Sequence, residues 1–266
     1  MTDWKLPAEI QKDTEAFVKL MHSVASIYMY EWFISLDFEW DFLSGKKRFR
    51  WPMIFYFLNR YFLLLSLIGI IISFDKIEGL NCQALFTFFQ LTGNAAIGLV
   101  SINLSIRTMA IWAHNRYIIG GLVLIILGHW SLILQGVQVT TTLVPGVGCQ
   151  IVQSHSKILP AIFIYSMCFD FIVLSLNTYK LIGITSSPSR NLRGRGRLTH
   201  MIFTDGLVFF ILAFLSNFVA TVFLLLNLNQ VMGVIFNVPA AVISTIVACR
   251  AVRRLTNFTF NRPEII

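Results

Sequence analysis

Few residues in this chain have chemistry to offer, and most of them stand in apolar surroundings. Arg60 is the only charge between Pro52 and Phe74, and Asp37 and Glu39 close the apolar stretch that begins near Phe17. A charge held at bilayer depth is costly, so it is kept for a partner or a task. Asp37 precedes Lys46 by nine residues, and Arg60 follows Arg50 by ten. At 1.5 Å of rise per residue, each lies roughly 14 Å from the basic turn between them. Consecutive antiparallel helices bring the two to one height, so the spacing predicts an Asp37–Arg60 ion pair with Glu39 and Asn59 beside it.

Other polar residues fall well inside apolar runs. Asn94, His129 and Asp170 count to the middle of their stretches, while Glu31 and Asn237 count nearer the opposite end from the basic turns. Together these five make a candidate polar cavity; singly, each reads as an interhelical hydrogen bond worth under about 2 kcal/mol. Catalytic chemistry is not expected. The five histidines show no His-x-x-x-His or Glu-x-x-His spacing, so ligands for a metal are lacking. Gly-x-Ser-x-Gly and phosphate-binding glycine loops are absent as well. The last apolar stretch has no lysine to carry a retinal Schiff base. No cofactor and no metal are anticipated, and the chain is not read as an enzyme.

The elements that must hold these residues follow from composition. Of 266 residues 56% are hydrophobic and only 13% charged, with 24 phenylalanines. A soluble chain carries about twice that share of charge. The apolar excess falls in blocks near 17–42, 52–74, 84–111, 117–138, 158–181, 203–227 and 230–250. Blocks of about 20 residues are the length of a membrane crossing. The expected fold is therefore all-α, a single bundle of seven transmembrane helices over 1–266. Residues 226–230 are expected to form a tight hairpin between the last two helices, and Pro239 is expected to kink the seventh. The first block is amphipathic and could lie at the interface instead.

Fifteen of the 21 Lys and Arg residues cluster on alternate connections and the tail, including the basic loop 183–200. By the positive-inside rule this places the N-terminus outside and the C-terminus in the cytosol. The net charge of +8 is thus read as a topology signal rather than a nucleic-acid footprint. Under this orientation Cys82 and Cys149 share the oxidising side, which predicts a disulfide between them. The sequons at Asn103 and Asn257 should stay unmodified, one in a span and the other on the cytosolic tail.

Ser35-Leu36-Asp37-Phe38-Glu39-Trp40, a basic turn to Arg50-Trp51, and Phe57-Leu58-Asn59-Arg60-Tyr61 form a distinctive pattern over 28–66. It resembles the N-terminal module, of unknown function, in a large family of fungal membrane proteins found mostly in basidiomycetes. Leu43 stands where the family usually has Trp. Ile106-Arg107-Thr108-Met109-Ala110-Ile111-Trp112 is similar to a second family motif, with Arg107 and Trp112 at the inner end of the third helix. The resemblance implies an integral membrane protein without an assigned activity. It also implies that Asp37, Glu39, Asn59, Arg60 and Tyr61 form the polar core of the first two helices. A receptor-like, ligand-sensing protein is the leading functional expectation, with a proton-coupled or small-molecule transporter and a structural protein without a ligand as alternatives. The expected partners are the lipid bilayer, a small-molecule ligand and a cytosolic protein at the basic loops. The plasma membrane or another membrane of the secretory pathway is the expected location.

Overall fold

The structure, a computed structural model, describes residues 6–47, 49–74, 81–112, 115–135, 139–144, 148–154, 158–185, 195–226 and 230–260. In chain order the helices are α1 (Pro7–Ile34), α2 (Leu36–Leu43), α3 (Met53–Phe74), α4 (Cys82–Ile111) and α5 (Arg116–Gln135). A hairpin of β1 (Val139–Val144) and β2 (Gly148–Ser154) follows. Then come α6 (Ile158–Thr185), α7 (Arg195–Leu226), α8 (Gln230–Val234) and α9 (Asn237–Phe260). Among the described residues, six helical stretches are long and apolar enough to cross a membrane, in α3, α4, α5, α6, α7 and the α8–α9 unit. The chain is a helical membrane protein.

Local sequence explains where several elements begin and end. Pro7 opens α1, a position that needs no backbone donor. The Asn81 side chain caps α4 by accepting from the Ala84 N–H at 3.2 Å. Gly45 stops α2 at φ +72°, a backbone state that costs glycine nothing, and turns the chain toward α3.

One expectation changes. The block 17–42 is not one helix: Ser35 interrupts it with φ −94° and ψ 3°, leaving α1 and α2 as separate rods. Its charges also keep it out of the six apolar stretches. The kink expected from Pro239 takes the form of a break at Ile235 and Phe236, where the Ile235 carbonyl loses the N–H that a residue at 239 would otherwise supply. The connection after α5 is an antiparallel hairpin, with Val139 opposite Ser154 and a bulge between Thr140 and Thr141. Its run of Val and Thr favours extended backbone. Residues 227–229, between α7 and α8, and 186–194 of the basic loop lie outside the described residues.

The helices pack in a closed order: α1 on α3, then α4, α5, α6, α7 and α9, with α9 returning to α1. α4 runs through the middle and also touches α6 and α9, while β1 rests on it. The central core joins Val100 and Leu104 of α4 to Leu122, Phe169, Val173 and Phe210. Small residues let the rods approach closely. A Cβ on Gly93 of α4 would stand 2.8 Å from the Ser66 hydroxyl of α3. The α1–α2 pair accompanies α3 along its length. Phe17 meets Phe74 edge-on at 6.0 Å, and Phe38 meets Tyr56 at 5.6 Å.

Candidate functional site

Arg60 is almost wholly buried, at 3% exposure, and so is Glu39, at 4%. Their charges meet with Arg60 Nε 2.9 Å from Glu39 Oε1, a contact of charges rather than an aligned hydrogen bond. The rest of the guanidinium is filled from α1 and α3. Nη1 donates to Ser35 Oγ at 2.5 Å and to the Tyr56 hydroxyl at 3.0 Å, and Nη2 donates to the Trp32 carbonyl. The Trp32 ring lies under the cation at 5.5 Å. Tyr61 donates its hydroxyl proton to Glu39 Oε2 at 2.8 Å, and Tyr28 donates to the Arg60 carbonyl at 2.7 Å.

The break at Ser35 explains why this pair is tolerable. A helix end carries partial charge, negative at its C-terminus and positive at its N-terminus. Interrupting the rod at Ser35 creates both ends side by side. Arg60 fills the carbonyl end of α1, and Glu39 lies in the first turn of α2. Each buried charge therefore gains a dipole as well as a counter-ion.

The partner of Arg60 is thus Glu39, and the Asp37–Arg60 pair predicted from spacing does not form. Counting residues brought Arg60 opposite the acidic stretch of α2. It did not fix the direction, because α2 restarts after Ser35 and turns Asp37 to the exposed side. Asn59 belongs to the same interior, fully buried, with its carbonyl oxygen accepting from Thr245 of α9 at 3.3 Å.

Asp37 instead lines a cleft of about 470 Å³ at the Arg-rich end of the bundle, between α2 and α9. Asp41, Lys47, Arg250, Arg253 and Arg254 line it too. Lys47 reaches Asp41 at 2.9 Å. A second cavity, of about 210 Å³, lies beside it with an apolar wall that includes Met53, Leu104 and Val252, and with Arg50 and Arg107 on its border.

The five residues of the candidate cavity do not converge. Glu31 joins Arg250 and Arg253 of α9, each at 2.5 Å, toward the Arg-rich end rather than in the opposite half. Asp170 accepts from Asn217 of α7 at 2.5 Å. His129 stacks on Tyr165 at 5.5 Å, and neither ring nitrogen has a partner among the described residues. Asn94 Nδ2 and Asn237 Oδ1 are likewise without partners there. None of the five lines either cavity described above. The sequence count gave no direction around each helix, and it misplaced Glu31.

At the end of α4, the Trp112 N–H donates to the Thr108 carbonyl at 3.0 Å, its ring stacks on Tyr179 at 6.3 Å, and Lys180 covers it. Arg107 lies over Phe210 of α7 and crosses Gly206 so closely that a side chain there would collide with it. Cys82 is disulfide-bonded, Cys168 and Cys249 are free thiols, and the side chain of Cys149 lies outside the described residues. No cluster of three or more His, Cys, Asp or Glu able to hold a metal occurs among the described residues. Ser35, Tyr56 and the two α9 arginines that hold Glu31 had no signal in the sequence beyond their polarity.

Residues 20–65 match a family of unknown function, DUF6533. The match takes in α2, the turn and the half of α3 that carries Arg60, and it extends back into α1. No curated protein matches the chain.

Proposed function

We propose that the chain is a seven-helix, receptor-like membrane protein, its N-terminus outside and its C-terminus cytosolic, without catalytic activity. The observation that carries this is the course of α1 and α2 beside α3. A segment that meets Phe74 at one end and Tyr56 at the other runs through the same thickness as α3. An interfacial helix would touch only one end of its neighbour. The Glu39–Arg60 pair gives this otherwise polar segment a reason to stay inside. The inner end then presents the cleft and the basic surfaces to a cytosolic partner, and the break at Ser35 lets α2 move on α1. The expected residence is the plasma membrane or another secretory-pathway membrane, and the expected source is fungal, as the motif resemblance implies.

In the same topology Cys149 is the partner of Cys82, pinning the β1–β2 hairpin onto the outer end of α4. Non-reducing electrophoresis should show a mobility change lost equally in Cys82→Ser and Cys149→Ser. A change in only one of the two variants would contradict the pairing.

The functional test is reconstitution in proteoliposomes with a fluorophore on Leu43→Cys, at the end of α2. Addition of small-molecule extracts to the outer face should change its emission, with no accompanying proton flux. Proton flux that disappears in Asp170→Asn would replace the receptor reading with a transporter.

A further inference from the structure

We propose that the cleft between α2 and α9 binds a zwitterion carrying a primary ammonium and a phosphate ester, the chemistry shared by an aminophospholipid headgroup and its soluble counterpart. The two walls of the cleft carry opposite charge. Arg250, Arg253 and Arg254 fall on one face of α9, since residues three and four apart are neighbours on a helix. Asp37 and Asp41 do the same on α2.

These walls do not neutralise each other. Asp41 is taken by Lys47, at 2.9 Å. Glu31 serves both Arg250 and Arg253, so one carboxylate answers two guanidinium groups. The Arg250 side chain is 54% exposed even so, and keeps donors facing outward. Opposite them, Asp37 is exposed, and no hydrogen bond or ion pair engages it among the described residues. With Arg250 and Arg253 sharing one carboxylate, the cleft holds a surplus of guanidinium on one side and an unengaged carboxylate on the other, with about 470 Å³ between them.

A simple anion entering this space would face Asp37, and a simple cation would face three arginines. A ligand with both charges satisfies both walls. Guanidinium groups match the oxygens of a phosphate ester in a planar fork. A primary ammonium offers three donors to a carboxylate, which a quaternary ammonium does not. The position agrees as well. The cleft opens where the apolar runs of α3 and α9 give way to Lys and Arg, the level at which lipid headgroups lie. The inference depends neither on the number of crossings nor on their orientation.

The test uses the full chain in detergent, stripped of lipid, with native mass spectrometry as the readout. Phosphatidylethanolamine, phosphatidylcholine and phosphatidylglycerol are offered at equal concentration. The wild-type protein should retain phosphatidylethanolamine about fivefold or more over the other two. Asp37→Asn should erase the advantage over phosphatidylglycerol, which has the phosphate but no ammonium. Arg254→Gln should lower retention of both. Thermal unfolding of each variant, unchanged from wild type, shows that the loss is one of binding. Displacement of the lipid by soluble glycerophosphoethanolamine would assign the site to a free aminophosphate, and failure to displace it would assign the site to the lipid. Equal retention of all three lipids by wild type, or a preference unaltered in Asp37→Asn, would overturn the proposal.

Discussion

Two residues along a helix turn a side chain through about 200°, so Asp37 and Glu39 cannot both face Arg60. The structure gives the place to Glu39, buried at 4%, and leaves Asp37 at the surface. Removing one member of a buried pair strands the other, at a cost of about 3–5 kcal/mol. Glu39→Ala and Arg60→Ala should each lose stability on that scale in detergent thermal unfolding. The double variant should lose less than the sum of the two, and additive losses would show that the charges do not depend on each other. Asp37→Ala should change stability by less than about 0.5 kcal/mol, as at an ordinary surface site. Tyr61→Phe removes a hydrogen bond to a charged acceptor at a half-exposed position and should cost about 1 kcal/mol by the same measurement. At this scale the sequence was half legible. Counting from the basic turn brought Arg60 level with the acidic stretch of α2. The phase of α2 could not be counted, because Ser35 resets it and its serine hydroxyl is spent on the Glu31 carbonyl and the Arg60 guanidinium.

Breaks and close approaches govern the elements. Ser35 divides the first rod, and the turn at Ile235 and Phe236 divides the last. Apolar block lengths reveal neither, since the hydrophobic pattern continues through both. Glycine contacts are similarly hidden in sequence, yet they differ sharply in consequence. Gly69 of α3 faces the Phe89 Cβ of α4, where an added Cβ would stand 2.9 Å away, while Gly120 has open space where a Cβ would go. Gly69→Ala should push α3 off α4 and cost about 1–3 kcal/mol, as overpacking does. Gly120→Ala should be neutral or slightly stabilising, because alanine is the better helix former. Equal effects of the two substitutions on the unfolding temperature would refute the close α3–α4 approach. The hairpin after α5 follows from its Thr and Val residues, which favour extended backbone between two apolar helices.

At the scale of the whole molecule, composition was the most informative signal. It located six crossings that the structure supports by length and apolarity, and the helical membrane class with them. It could not decide on the first rod, whose charges make it look interfacial. That decision turns on packing: Phe17 against Phe74, the Tyr28 hydroxyl on the Arg60 carbonyl, and Glu39 against Arg60. An odd number of crossings puts the two ends of the chain on opposite sides of the membrane, and an even number puts them on the same side. Epitope tags on the N-terminus and the C-terminus, probed with antibodies in intact and permeabilised cells, test this directly. The expected result is an N-terminal tag reached in intact cells and a C-terminal tag reached only after permeabilisation. Both tags reached on one side would contradict seven crossings and return α1 and α2 to the membrane surface.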